Sequence, residues 1–513
     1  MFVDYVGSSA GAEIDFVAEQ GASQELTAGK PAGEQPWENG PMIAAYHVGE
    51  IRRAEAGAIA EVGAAALMQR AAAGVANVAL AELKELTGGV YARRVLLLVG
   101  PGNNGGDGLY AGVRLLRRGV RVFAWRAAER VHSEGWEAFA AAGGRELSLA
   151  ELARRLPDLD LVLDAILGIG GKPGLREPSA IVARQLRQAG VPVVAVDLPS
   201  GLDADSGALP ADAIAAATTV TFGGLKLCQV LEPAASQCGV VRCLDIGLGR
   251  MDAALQAWQP ADVAAAWPVP PVTAHKYTRG VVGVDAGSPT YPGAGLMCVA
   301  GAVRAGAGMV RYLGDAEIAA QVGRRLPNVV LTKGQVQAWV LGCGWGEQAY
   351  GAGKVRQAVG SGLPVVLDAD ALRYLDGVPL HSRVLLTPHA GEMARLLGVS
   401  RAAVEDDPVA QVLRAARETG AVVLLKSTNQ LVAQPESGTV FRTVSGPAWT
   451  ATAGAGDFLA GVCGALLAAG LDVRDAALAG ASIQELASRR AGQTVVPQDM
   501  ELPIAGLLAG EFG

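Results

Sequence analysis

Arg93 to Trp125 reads RRVLLLVGPGNNGGDGLYAGVRLLRRGVRVFAW. An unbroken apolar run, VLLLV, stops at glycine, passes through a glycine-rich turn into a helical pattern, and returns to a second apolar run. A strand that is apolar on both faces belongs in a parallel sheet covered by helices on each side. The same unit recurs outward from this stretch, as LDLVLDAILG (Leu159–Gly168) and VPVVAVDLPSG (Val191–Gly201). After CLDIGLG (Cys243–Gly249) the pattern weakens through AAAWPVPPVTAHKYTRG, where Pro268, Pro270 and Pro271 mark a linker. It then resumes in GVVGVDAGS, AWVLGCGWG, LPVVLDADAL, RVLLTPHAGE and AVVLLKSTNQ. At 513 residues the chain is too long for one core. The fold class is α/β, in two halves alike in class and different in motif.

Residues 1–41 are acidic, glycine-rich and without periodicity, so they read as disorder or as sequence ahead of the true start. The first domain then covers 42–250, a linker 251–274, and the second domain 275–513. A net charge of −7 offers no basic field, which argues against nucleic acid as a partner. No uncharged apolar run reaches about 18 residues, so no membrane span is expected. The N-terminus lacks the pattern of a signal peptide. Six scattered cysteines, with no CxxC pair, fit a reducing cytoplasm rather than a disulfide or zinc framework. The alanine-rich helical faces suit self-association into a homo-oligomer.

In the first half, Gly100, Gly102 and Gly105 form GxGxxG between a strand and a helix, a setting in which backbone N–H groups approach a phosphate. Two features depart from a hydride-transfer site. The next strand ends in Trp125 and Arg126, with no acid to hold a ribose. Asn103, Asn104 and Asp107 also put polar side chains where bare backbone is wanted. Asp107 is open to reading as a helix cap, and Asn104 as a holder of a cation or an amide. Asp164 and Asp197 end two further strands, where side chains line the crevice of an open sheet. Each is either a turn or cap aspartate or a group for proton transfer or cation binding.

GPGNNGGDG, DAILGIGGKPGLREP and VDLPSGLD, in that order, resemble the NAD(P)H-hydrate epimerase family over about residues 42–249. The resemblance implies that Asn103, Asn104, Gly105, Gly106 and Asp107 grip the substrate's phosphates. It implies that Gly168, Ile169, Gly170, Gly171, Lys172, Pro173, Gly174 and Asp197 contact the damaged nicotinamide nucleotide. Asn104, Asp164 and Ser200 match positions that hold a potassium ion (K+), and Asp197 and Lys172 match the proton-transfer positions. Lys226, at the end of TFGGLK, reads as structural.

In the second half, SGPAWTATAGAGDFLAGVCGALLAAG (Ser445–Gly470) sets Gly454, Gly456 and Asp457 at the start of a long apolar helix. Small residues at a helix N-terminus make an anion hole, and an acid beside it can accept a proton from a hydroxyl attacking phosphorus. A helix cap is the other reading of Asp457. The segment resembles the GTGD signature of ribokinase-like enzymes, with Ala455 in place of Thr. Together with HKYTRGVVGV, GSPTYPGAGLMCVAGAVRAGAGMVRYL, LDADAL, TPHAGEMARLLG and LLKSTNQLVA, it resembles ADP-dependent NAD(P)H-hydrate dehydratases from about Ala261 onward. HKYTRG departs from the family's usual HKG start.

By that resemblance Ala294, Gly344, His389 and Asp457 bind substrate, with Asp457 catalytic. Lys426, Ser427, Thr428, Asn429, Gln430 and Gly456 bind the nucleotide, which enters as ADP with Mg2+. The implied fold is a Rossmann-like three-layer domain followed by a ribokinase-like three-layer domain. The implied activity is repair of hydrated NADH and NADPH: the first domain interconverts the R and S hydrates, and the second dehydrates the S form at the expense of ADP. A small-molecule kinase fused to a dinucleotide-binding regulatory domain is the alternative, and a non-catalytic binding protein a further one.

Overall fold

The structure is a computed structural model that describes residues 14–17, 42–492 and 494–510. Within them the chain divides into two compact units, one over Ala44–Ala254 and the other from Leu255 onward. Of the segment 1–41, only Ile14–Val17 is described, as a strand paired with Val240–Leu244; the rest of that expectation lies outside the described residues.

The first unit holds an eight-stranded sheet, parallel at every pairing. Arg94–Val99 lies inside it, between Arg121–Arg126 and Leu161–Ala165. Apart from Ile14–Val17 at one edge, later strands are added outward on both sides, so the order reverses at this point and a crevice opens beyond Val99 and Ala165. Burial alternates as the sequence pattern requires. Val95, Leu97 and Val99 enter the core on one face, and Leu96 and Leu98 that on the other.

The helix Ala64–Thr87 covers the first face. By length and composition alone it could cross a membrane, with 24 residues and a mean hydropathy of 1.2. Its Leu67, Ala71, Val75, Ala79 and Leu83 instead fall on one stripe packed into the unit's core, which is the pattern of an interior helix.

In the second unit, parallel strands run in the order Met309–Tyr312, Val281–Asp285, Ala338–Leu341, Val365–Leu367, Val384–Leu386 and Val422–Leu425. Leu431–Ala433 and Val440–Arg442 then add antiparallel. The apolar helix Ala455–Ala468 lies against Pro292–Arg304 at a distance only glycine allows. A Cβ on Gly461 would stand 1.9 Å from the Cys298 carbonyl oxygen, and one on Gly301 2.1 Å from that of Phe458.

The stretch 251–274, expected as a linker, mostly belongs to this second unit. Leu255–Ala257 pairs with Val440–Arg442, and Trp258, Val263 and Trp267 are buried in its core. The prolines mislead because they mark only an exposed loop within the unit, in which Val269 and Val272 face solvent. The division falls between Ala254 and Leu255.

Candidate active sites

In the first unit, three strand ends meet. The helix Asn103–Arg117 begins directly after the glycine turn, with Gly102 at its N-cap and no side-chain cap. Asp107 therefore does not cap it. Its Oδ1 is buried without a hydrogen-bond partner, as is Nδ2 of Asn104. Burial, then the charges of Asp197 and Glu55, hold the Asp107 carboxyl well above the usual range. Polar atoms left unpaired at the mouth of a phosphate-type turn point to a ligand that pairs them.

Asp197 has φ +69, a left-handed conformation rarely adopted outside glycine. The strain is held by its N–H donating to Val220 (2.7 Å) and by Gln229 donating to its carbonyl (2.8 Å). Its carboxylate projects at Gly168: Oδ2 accepts from the Ile169 N–H at 2.9 Å, and Oδ1 from Lys226 Nζ at 2.5 Å. A Cβ on Gly168 would meet Asp197 Oδ2 at 2.8 Å and Asn104 Oδ1 at 3.1 Å, so this glycine lets the two side chains converge. Lys226 also donates to Thr221 Oγ1 at 2.7 Å, and its side chain is 1% exposed. Glu55 lies close enough for its carboxyl to be raised by burial and by Asp197.

The two lysines singled out in the sequence differ in burial and partner. Lys172 is exposed, and the ammonium on Asp197 belongs to Lys226. The signal for Lys226 is present in TFGGLK, where a charge interrupts a buried run; a lysine is almost never fully buried unless paired.

Asp164 is fully buried and accepts from the Ser200 N–H and hydroxyl, both at 2.7 Å. Burial pushes its carboxyl up to about 6 against those bonds and one from Ile166. Ser200 Oγ in turn accepts from the Leu167 N–H at 2.9 Å. Among the described residues the groups bonded to Asp164 carry no positive charge. A buried carboxylate is costly without compensation, and a set of carboxylate, hydroxyl and amide oxygens suits a hard cation of low charge. The three residues expected to hold potassium therefore fit one.

In the second unit, the helix Ala455–Ala468 starts from Gly454 in the left-handed region (φ +89). Its first-turn N–H groups have no helical carbonyl to bond. Lys426 Nζ stands over this turn, 3.1 Å from where a Cβ on Gly456 would be. Lys426 also pairs with Asp368, whose Oδ1 accepts from Thr387 at 2.7 Å. Burial pulls the Lys426 ammonium down, but Asp368 and Glu392 outweigh it and leave it above its ordinary value. Burial, then the charge of Asp368, pushes Asp457 up to about 7.

Ala294 and Gly344 face each other, with 2.4 Å between the Ala294 Cβ and a Cβ built on Gly344. His389 caps the helix Ala390–Leu397: its Nδ1 accepts from the Gly391 and Glu392 N–H groups at 3.0 and 3.2 Å. With Nδ1 so used, the ring proton sits on Nε2, 3.4 Å from Glu392 Oε1. Ser427 and Thr428 are exposed, whereas Asn429 and Gln430 are buried. Gln430 donates to Glu485 at 2.5 Å, and Gln484 to the Ala455 carbonyl at 2.8 Å. The helix Val473–Ala491 thus braces both the lysine strip and the anion hole. Asp368, Gln484 and Glu485 were missed in the sequence, although LDADAL displays the first as another acid at a strand end.

Each unit is therefore a three-layer α/β domain with an anion-binding helix start and a buried acid at its carboxyl edge, which is the class of nucleotide-handling enzymes. The family described as YjeF-related protein N-terminus matches residues 64–228, and that described as NAD(P)H-hydrate dehydratase matches 282–504. The bifunctional NAD(P)H-hydrate repair enzyme Nnr of Mycobacterium leprae is 45% identical over 443 residues, covering 84% of this chain and 90% of its own. That of Corynebacterium glutamicum is 34% identical, covering 83% and 87%. Among solved structures, the ADP/ATP-dependent NAD(P)H-hydrate dehydratase of Bacillus subtilis, co-crystallised with ATP/Mg2+, aligns at a TM-score of 0.45 and 22% identity, over 49% of this chain and 96% of that one. The chain belongs to the family of bifunctional NAD(P)H-hydrate repair enzymes.

Proposed function

We propose that the two units repair hydrated NADH and NADPH in succession, the first equilibrating the R and S hydrates and the second removing water from S. The observation that carries the first half is the Asp197 carboxylate, strained, buried and aimed past Gly168 beside two unpaired buried atoms of the phosphate turn. Asn103, Asn104, Gly105, Gly106 and Asp107 take the phosphates, and the loop from Gly168 to Gly174 takes the nicotinamide end. Asp197 relays a proton from the Lys226 ammonium at 2.5 Å to the C6 hydroxyl, which leaves as water, and the proton returns by the same route when water adds on the other face. Lys226 holds Asp197 in position. When bound at Asn104, Asp164 and Ser200, a potassium ion supplies positive charge that compensates Asp164 and fixes the turn bearing Asp197.

In the second unit the substrate is the S hydrate and ADP enters as its Mg2+ complex. Asp457 accepts the hydroxyl proton as the oxygen attacks the terminal phosphorus of ADP, and AMP leaves. The N–H groups at Gly456 and the Lys426 ammonium take the charge that develops on the phosphoryl oxygens. Elimination then expels phosphate, a far better leaving group than hydroxide, and restores NADH or NADPH. Ala294, Gly344 and His389 line the hydrate's side. Six buried, unpaired cysteines support a cytoplasmic setting.

The test is absorbance recovery of the reduced nicotinamide from a mixture of R and S hydrates. ADP consumption equal to NADH regained, with no phosphorylated product kept, supports this reading. A stable phosphorylated product would favour a small-molecule kinase.

A further inference from the structure

Behind the anion hole, Cys343 stands between two carboxylates. Its Sγ lies 3.4 Å from Asp368 Oδ2, and Sγ and one oxygen each of Asp368 and Asp457 all fall within 4.8 Å of one another. Among the described residues this is the one group of three or more such side chains placed to hold a metal ion. Cys343 and Asp368 are buried, and Asp457 is partly open toward the site. The remaining oxygen of Asp368, Oδ1, is already taken by Lys426 and Thr387, which turns Oδ2 to the thiol.

We propose that Cys343, Asp368 and Asp457 form a binding site for a thiophilic divalent cation of the zinc or cobalt kind, and that its occupation blocks dehydration. With metal–sulfur and metal–oxygen bonds of about 2.3 and 2.0–2.2 Å, two tetrahedral ligands stand about 3.5–3.7 Å apart. The thiol and Asp368 Oδ2 are within a few tenths of an ångström of that edge. A single thiol proton cannot satisfy two facing carboxylates, and a divalent ion can. Sulfur selects against Mg2+, which demands an octahedral oxygen shell. Uptake is an exchange in which the metal–sulfur bond forms, the S–H bond breaks and its proton passes to solvent, together with any proton held by Asp457. The ion then occupies the Asp457 oxygen that would accept the hydroxyl proton. The blocking effect rests on the role assigned to Asp457 above; the binding does not.

The experiment titrates the full chain with Co2+ in the absence of ADP and hydrate, and reads the thiolate-to-cobalt charge-transfer band and the protons released. One ion and at least one proton per chain are expected, with the band absent in Cys343→Ser. Asp457→Asn keeps the thiol, so it should keep a band while weakening binding by at least the roughly 10–100-fold that loss of an outer partner costs. Zn2+ should displace Co2+ and stop dehydration while leaving epimerisation running. No band, a band unchanged in Cys343→Ser, or displacement by equimolar Mg2+ would overturn the site. A normal band with dehydration unimpaired would leave binding standing and overturn the block alone.

Discussion

Replacing Lys226 by Met tests the assignment of roles in the first unit. The side chain is 1% exposed and that of Asp197 9%, so the substitution strands a carboxylate in the interior and does not merely cut a surface ion pair. Removing one partner of a buried pair costs about 3–5 kcal/mol. Met fills most of the lysine stem's volume, which keeps the packing term small. With two compact units in one chain, the loss is best read locally, by hydrogen exchange of peptides covering 193–201 and 218–226. A cost of about 3–5 kcal/mol corresponds to roughly 10²–10⁴-fold faster exchange there, while peptides of the second unit stay unchanged. Asp197→Asn added to Lys226→Met removes the stranded charge, so the double variant should be more stable than the sum of the two singles by about 0.5–3 kcal/mol. Epimerisation by Lys226→Met should lose kcat with little change in KM, because the phosphate-gripping residues 103–107 are untouched. Additive single effects, or a cost below about 1 kcal/mol, the range of an exposed pair, would refute the buried-pair argument. A KM effect alone would refute the positioning role.

Three further outcomes follow from the two sites. Asp457→Asn should slow dehydration by about 10²–10⁴-fold, the usual contribution of a general base, with epimerisation intact; a near-normal rate would remove Asp457 from the chemistry. Residues 255–513 expressed alone should dehydrate the S hydrate and stall on R. A fragment begun at 275 should fail to fold stably, because Trp258, Val263 and Trp267 leave the core with the strand Leu255–Ala257, and equal stability of the two fragments, by thermal melting, would count against that packing. Epimerisation should fall when potassium is replaced by a bulky organic cation at equal ionic strength, and Asp164→Ala should be indifferent to the exchange; equal rates in both salts would leave the cation site without support.

Much of the fold and of both sites is legible in the amino-acid sequence. The buried runs announce parallel sheets because a strand covered on both faces has no polar side to show. Gly100–Asp107 and Gly454–Asp457 stand out as candidate anion sites because glycine, acid and helix start are adjacent in sequence. What the sequence hides is pairing across distance. Lys226 meets Asp197 from 29 positions away and Lys426 meets Asp368 from 58, and no local pattern encodes either. Lys172 is the more visible lysine because it sits inside a glycine-rich motif, yet that same loop leaves it in solvent. The linker misleads for a related reason: prolines report local backbone, whereas Trp258 and Trp267 report burial, and here burial decides.

The two units converge on one physical device and use it for opposite ends. Each sets a lysine, Lys226 buried and Lys426 partly buried, against an aspartate that lies just past the end of a strand. In the first unit the lysine pairs with Asp197 itself, the acid aimed at the substrate loop, so the pair fixes the orientation of the working group. In the second, Lys426 is spent on Asp368, and Asp457 is left facing a like charge in a desolvated corner, which brings its carboxyl to about 7. A hydroxyl that attacks phosphorus needs a base that holds its proton near neutrality, and a partly buried acid with no ion-pair partner meets that need better than an ion-paired one. Lys426 loses nothing by the arrangement, since its ammonium remains over the helix start at Gly456. Asp368 thereby anchors the cation and, as a nearby negative charge, raises the basicity of Asp457. Asp368→Asn should accordingly damage dehydration twice over, loosening the lysine and lowering the Asp457 carboxyl toward its ordinary range. It should therefore cost more than Asp457's neighbours that only brace the loop, such as Gln484→Ala, when both are compared by dehydratase kcat. A larger loss in Gln484→Ala would mean that the loop's shape, not the charge pattern, governs the reaction.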